Sequence, residues 1–140
     1  MRLAAIDIGS NAARLLITDV RPGPQGVAEF IKSALVRVPL RLGFDVFDKG
    51  EISPAKVEKI IKTIKSYQLL LEVYDVKHLK ACATSAMRDA SNSKEIIERV
   101  KNETGIEIEI ISGDHEASLI YKNHVAAVSY THLRTTGICT

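Results

Sequence analysis

The sequence predicts a three-layer α/β domain built on a mixed five-stranded sheet. Two observations carry that prediction. Three strand-like runs follow one another over residues 2–38 before any helical periodicity begins, which is the pattern of an antiparallel meander. From residue 53 onward the pattern alternates helix, strand, helix, strand, helix, which places the later strands parallel to the first. At 140 residues the chain makes one domain, long enough to bury a core.

The first element is residues 3–8, apolar except for Asp7 and ending in Gly9-Ser10-Asn11. A second apolar run, Leu15-Leu-Ile17, follows almost at once, so the two read as strands joined by a tight turn. A carboxylate near the end of a buried strand is costly without a partner. Asp7 is therefore either hydrogen-bonded into the turn or aimed at a cation. Gly9, Ser10 and Asn11 offer a close-approach backbone, a hydroxyl and an amide, groups that hold phosphate oxygens. An Asx-type turn closing an ordinary hairpin has the same local pattern.

Arg21-Pro-Gly-Pro-Gln-Gly26 reads as an exposed loop. Residues 27–38 form the third strand, with Phe30, Ala34, Val36 and Val38 alternating in part with polar neighbours. Residues 39–43 end it and residues 44–50 are a loop. Arg37 and Arg41 flank that junction and read as surface charge. Ser53-Pro54 opens the first long helix, Ser as N-cap and Pro at the first helical position. Val57, Ile60, Ile61, Ile64, Tyr67, Leu70 and Leu71 recur at helical spacing, while Lys56, Lys59, Lys62 and Lys65 make its solvated face.

Val76, Leu79, Ala81 and Ala83 mark a strand that enters Thr84-Ser-Ala-Met-Arg-Asp-Ala90. A Thr at a strand end and an Arg on the first turn of a short helix can converge on one phosphate group, and Arg supplies a planar, permanently charged fork. Equally, Thr84 can cap the helix and Arg88 can pair with Asp89 or another acid. Asn92-Ser-Lys-Glu95 has the form of a capping box. Ile96, Ile97 and Val100 then face the core, and Gly105 stops the helix. Residues 106–111 alternate as a strand whose solvent face is Glu107 and Glu109. Ser112-Gly113 turns, and a last helix begins with Asp114, His115 and Glu116 in its first turn, where the helix dipole favours the two acids.

Four of these segments, in order from Asp7 to Tyr121, resemble the exopolyphosphatase and guanosine pentaphosphate phosphohydrolase (Ppx/GppA) family. Asp7-Ile-Gly-Ser-Asn11 with Arg14-Leu-Leu-Ile17 is similar to its first phosphate loop, and Arg41-Leu-Gly43 to a short element that follows. Thr84, Arg88 and Ala90 match its strand-plus-Thr-x-x-x-Arg-x-Ala signature. Ile111-Ser-Gly-Asp-His-Glu-Ala-Ser-Leu-Ile120 resembles its Ile-Ser-Gly-x-Glu-Glu-Ala-x-Leu-Ile motif, with His115 replacing the first Glu. The resemblance implies a ribonuclease H-like fold of the actin-like ATPase superfamily.

It also implies roles. Glu116 is the catalytic base that activates water, and Arg88 neutralises the terminal phosphate. Gly9, Ser10, Asn11 and Thr84 bind phosphate, and Asp7 helps to hold a divalent cation, Mg²⁺. The reaction is hydrolysis of phosphoanhydride bonds in inorganic polyphosphate or guanosine pentaphosphate. The family continues into a second lobe with an Asp-x-Gly-Gly-Gly-Ser loop, whereas residues 128–140 carry no Gly cluster and no acid. The expectation is thus a first lobe over residues 1–127, inactive alone, followed by a truncated or foreign tail. A homodimer of the full-length protein is a further expectation. Other readings are an ATP-binding kinase or ATPase lobe of the same superfamily, which the Gly-Ser-Asn and Ser-Gly-x-x-Glu-Ala motifs oppose, and a non-catalytic module binding polyphosphate or an alarmone.

Composition narrows the partners. The formal net charge of +2 is too small to argue for nucleic acid, and with 5% aromatics and no Trp a base-stacking surface is not expected. Cys82, in an apolar strand-like run, and Cys139, near the chain end, suggest a reducing compartment rather than a disulfide framework. No secretory leader and no membrane-spanning stretch are read from the sequence, so the expected location is the cytoplasm.

Overall fold

The structure, a computed structural model, describes residues 1–112. Strands β1 (Arg2–Ile8), β2 (Ala12–Pro22) and β3 (Ala28–Pro39) form the expected meander, each antiparallel to the one before. A short 3-10 turn, Pro24–Gly26, connects the last two. Helices α1 (Leu42–Lys49) and α2 (Pro54–Val73) lead to β4 (His78–Ala83), and α3 (Ser85–Asp89) and α4 (Ser93–Thr104) lead to β5 (Glu109–Ile110). The sheet order is β3-β2-β1-β4-β5, with β4 parallel to β1 and β5 parallel to β4. The predicted mixed five-stranded α/β sheet is therefore present. The helix expected from Asp114, and with it His115, Glu116 and residues 128–140, lies outside the described residues.

One face of the sheet makes the core. Ile6 and Ile8 of β1, Leu15 and Ile17 of β2, and Ala81 and Ala83 of β4 are buried against Ile60, Ile61 and Ile64 of α2 and Ile96 and Val100 of α4. Tyr67 of α2, fully buried, sets its hydroxyl 3.0 Å from the Ala13 carbonyl and 3.2 Å from the Val36 carbonyl. A helix residue thus ties two strands of the meander from beneath. Because side chains alternate along a strand, Asp7, Arg14 and Arg37 fall on the opposite face.

Several local expectations change. Residues 42–49, read as loop, are a helix: Leu42 is buried, Val46 packs on the core, and Gly50 takes the left-handed conformation (φ 71°) that ends it, donating to the Val46 carbonyl at 2.9 Å. Ser53 and Asn92 occupy N-cap positions without side-chain capping bonds. Asn92 instead clamps Ile52, accepting from its N–H at 3.0 Å and donating to its carbonyl at 2.8 Å. Among the described residues, the strand expected over residues 106–111 pairs at Glu109–Ile110. Glu107 and Glu109 are exposed, as predicted, and pair with Lys101 and Lys80. Cys82 is buried and is not a free thiol. This runs against the reduced reading, because a buried apolar site suits a thiol and a half-cystine equally well.

Candidate functional site

The β1–β2 hairpin tip is closed by its own backbone. The Gly9 N–H donates to the Ala12 carbonyl at 2.9 Å. The Ser10 carbonyl accepts from Gly43 N–H at 3.0 Å, and the Asn11 carbonyl accepts from Leu40 at 2.9 Å and Arg41 at 2.8 Å. The Ser10 and Asn11 carbonyls are thus taken up by the β3–α1 junction. The backbone N–H groups of Ser10 and Asn11 donate to no other described residue. A turn with its acceptors satisfied and adjacent donors left over is electrostatically suited to an anion.

Gly43 explains the Arg41-Leu-Gly43 element. A Cβ there would stand 3.3 Å from the Ser10 Cβ, a tight contact in which α1 or the hairpin would have to give by a few tenths of an ångström. Arg41 adopts φ 54°, a left-handed conformation that is strained for a residue with a Cβ. It is held there through its N–H to Asn11 and its carbonyl, which accepts from Lys56 Nζ at 2.7 Å. Lys56, expected on the solvated face, is therefore half-buried and structural, whereas Lys59, Lys62 and Lys65 are exposed.

Lys56 Nζ also lies 2.7 Å from an Asp45 carboxylate oxygen, and the other oxygen accepts from Ser53 N–H at 2.9 Å. Together these donors hold the Asp45 carboxyl down from its ordinary 3.8 to about 2. The folded value lies below the unfolded one, so the stabilisation is present above 3.8 and is lost as pH falls toward 2. Asp45→Asn should flatten that part of the pH–stability profile. Urea midpoints measured across this pH range would show it, and an unchanged acid slope in the variant would reject the brace.

The second half of the site comes from β4 and α3. Thr84 N–H donates to the Ile8 carbonyl at 3.1 Å, which sets the end of β4 beside the end of β1. Ser10 Oγ and Ser85 Oγ are 2.6 Å apart, a hydrogen bond that joins the hairpin tip to α3. Thr84 is buried at the N-cap position of α3, with no capping bond from its side chain. Arg88 donates from Nη1 to the Ile111 carbonyl at 3.1 Å, and its Nε stands 3.8 Å from Asp89, an exposed and weak pair. The acid pair expected for Arg88 is present, and the guanidinium has further N–H groups beyond these two contacts.

The structure brings Gly9, Ser10, Asn11, Thr84 and Arg88 to one edge of the sheet, the end at which β1 and β4 finish, with half-buried Asp7 next to the last residue of β1. Arg88 anchors the start of the segment that carries Glu116, which lies outside the described residues. Sequence reasoning missed Ser85 and the Lys56–Asp45 brace. Helix α1 had a readable signal, Asp45 in its first turn, Lys49 in its last and Gly50 after it. The Ser85 contact had none.

A profile of the Ppx/GppA phosphatase family matches residues 27–135. Exopolyphosphatase 1 of Mycobacterium tuberculosis is 33% identical over 121 residues, which span 86% of this chain and 34% of that protein. The bifunctional 3-dehydroquinate synthase/phosphatase of Fusobacterium nucleatum is 33% identical over 129 residues, 89% of this chain and 19% of that protein. Among solved structures, the Aquifex aeolicus member of the Ppx/GppA family matches with a TM-score of 0.81 at 33% identity, over 91% of this chain and 40% of its own. An exopolyphosphatase from Cytophaga hutchinsonii matches with a TM-score of 0.79 at 32% identity, over 91% and 39%. The fold is thus the actin-like ATPase type implied by the resemblance, and the chain spans a minor share of each of these relatives.

Proposed function

Because the chain belongs to the Ppx/GppA phosphatase family, we propose that it supplies the phosphate-binding lobe of a two-lobed hydrolase of phosphoanhydride bonds, with inorganic polyphosphate as substrate. The observation that carries this reading is the hairpin tip. Its carbonyls are tied back to residues 40–43, while the N–H groups of Ser10 and Asn11 donate to no other described residue. Gly9, Ser10 and Asn11 cradle the terminal phosphate, with Ser10 oriented by Ser85. Arg88 offers its remaining guanidinium donors to the same group, and Thr84 holds the strand end beside it. Glu116, in the role the family motif implies, takes a proton from the attacking water.

The residues suit Mg²⁺. No group of three or more His, Cys, Asp or Glu gathers among the described residues. Mg²⁺ is commonly held by one or two carboxylates together with substrate phosphates and water. Asp7 would hold it. When bound, the ion would offset charge on the phosphoryl oxygens. Among the described residues no helix is long and apolar enough to cross a membrane. A cytoplasmic location and a homodimer of the longer protein belong to the same proposal, and guanosine pentaphosphate is the second substrate considered.

The test is phosphate release from long-chain polyphosphate with Mg²⁺, by this chain and by a version continued through the second lobe of a relative. Release by the longer protein alone is expected. Turnover by the 140-residue chain would defeat the lobe reading. Silence from a folded longer protein would remove polyphosphate and move guanosine pentaphosphate to the front.

A further inference from the structure

Helix α1 carries two aromatic side chains that the fold leaves uncovered. Phe44 is 72% exposed and Phe47 95% exposed. Two of the chain's three phenylalanines thus face solvent from one short helix. Positions three apart are neighbours on a helix surface, so the two rings form one patch. The helix beneath them is pinned at both ends. Gly43 N–H donates to the Ser10 carbonyl at 3.0 Å, and the Gly50 carbonyl accepts from Ser91 N–H at 2.9 Å. Between these ends Asp45 is held by Lys56 and Ser53, while Leu42 and Val46 pack into the core. Groups already fixed in place lose little freedom when a partner covers them, which favours docking.

The patch lies at the phosphate edge of the sheet. Gly43 and Phe47 are four residues apart and share a face of α1. That face meets the hairpin at Ser10, and Phe47 stands on it roughly 6 Å farther along the helix. Strand β5 runs parallel to β4 and β1, so the chain leaves the sheet at this same edge. The matched region is 40% of the Aquifex aeolicus structure, so the larger part of that molecule lies outside it. Resting on the two-lobed reading above, we infer that Phe44 and Phe47 are the seat on which the second lobe closes over the phosphate hairpin. Covering the rings supplies an apolar contact without adding charge beside an anion site, and closure expels water from it. A second copy of this chain on the same rings would stand where the second lobe has to approach the hairpin. The two occupants exclude each other, and the lobe is the one that completes the site.

Hydroxyl-radical footprinting reads ring exposure directly. Mass spectrometry would follow oxidation of Phe44 and Phe47 in the 140-residue chain and in a longer protein. The longer protein continues this chain through the second lobe of a relative that itself carries aromatic residues at both positions. Oxidation of both rings should fall severalfold in the longer protein, and furthest with tripolyphosphate present. As a 140-residue chain, the Phe44→Gln, Phe47→Gln double variant should melt with the parent, because the rings bury little there. In the longer protein the same variant should lower kcat/KM for polyphosphate about tenfold, the scale of returning a buried ring to water. Rings equally exposed in both proteins, with phosphate release by the longer one intact, overturn the seat and leave the proposed function standing. An unchanged rate in the longer variant overturns it too. Protection that appears in the 140-residue chain as its concentration rises gives the rings to a second copy, and the seat for the lobe is lost. Turnover of polyphosphate by the 140-residue chain alone removes the two-lobed reading, and the seat with it.

Discussion

Tyr67→Ala is expected to destabilise the domain by about 3–5 kcal/mol, the range for deleting a buried aromatic side chain from a core. Tyr67 is fully buried beneath the meander, where its ring packs in the same core as Leu15, Ile17 and Ile64. Its hydroxyl is also the polar link from α2 to Ala13 of β2 and Val36 of β3. Small domains hold roughly 5–15 kcal/mol in total, so the variant should be largely unfolded in mild urea. Tyr67→Phe separates the two contributions. It keeps the ring, leaves the two carbonyls without the hydroxyl, and should cost about 1 kcal/mol.

A pH profile adds an independent check. Burial pushes the Tyr67 phenol up from 10.0 to about 12. The folded value exceeds the unfolded one, so the stabilisation is complete below pH 10 and is lost as pH rises toward 12. Tyr67→Phe should lack that alkaline loss. Equal alkaline slopes in the two proteins would show that the hydroxyl is not buried as described.

Glu116→Gln, made at the matching position of a full-length relative, should lower phosphate release from polyphosphate by about 10²–10⁴-fold, the usual worth of a positioned general base. Gln keeps the size and the hydrogen-bonding reach of Glu but cannot accept the proton. Substrate binding should therefore persist while turnover falls, and the loss should appear in kcat rather than KM. A variant that retains a near-normal rate would remove Glu116 from the mechanism. In this chain His115 replaces the neighbouring family Glu and leaves Glu116 as the motif's acid at this pair of positions.

The order of strands and helices was legible in the residues. The apolar run of β2, the partial alternation of β3, the helical spacing of Ile60, Ile61, Ile64 and Tyr67, and the Gly105 stop are local signals, and each appears in the structure where expected. The hairpin Asp7-Ile-Gly-Ser-Asn11 was legible as a turn for the same reason: Gly and Asn adopt tight backbone geometry at little cost. Helix α1 was hidden because Phe44 and Phe47, 72% and 95% exposed, broke the expected inward stripe. The true inward residues, Leu42 and Val46, make only one turn of periodicity.

Sequence by itself determined the strand order's building blocks, the hairpin and the candidate phosphate ligands, because periodicity and turn chemistry act over a few residues. Only tertiary structure decided which groups are satisfied and which are left over. Ser10 meets Ser85 across 75 positions, Asn92 clamps Ile52 across 40, and Lys56 braces Asp45 and the Arg41 carbonyl between two helices. The pairing of Arg14 with Arg37 across the β2–β3 ladder depends on strand register, which is set when the apolar face of each strand is buried and a shift of one residue would expose it. Partners brought together by folding leave no periodic trace in the chain, and that is why candidate residues could be named in advance while their contacts could not.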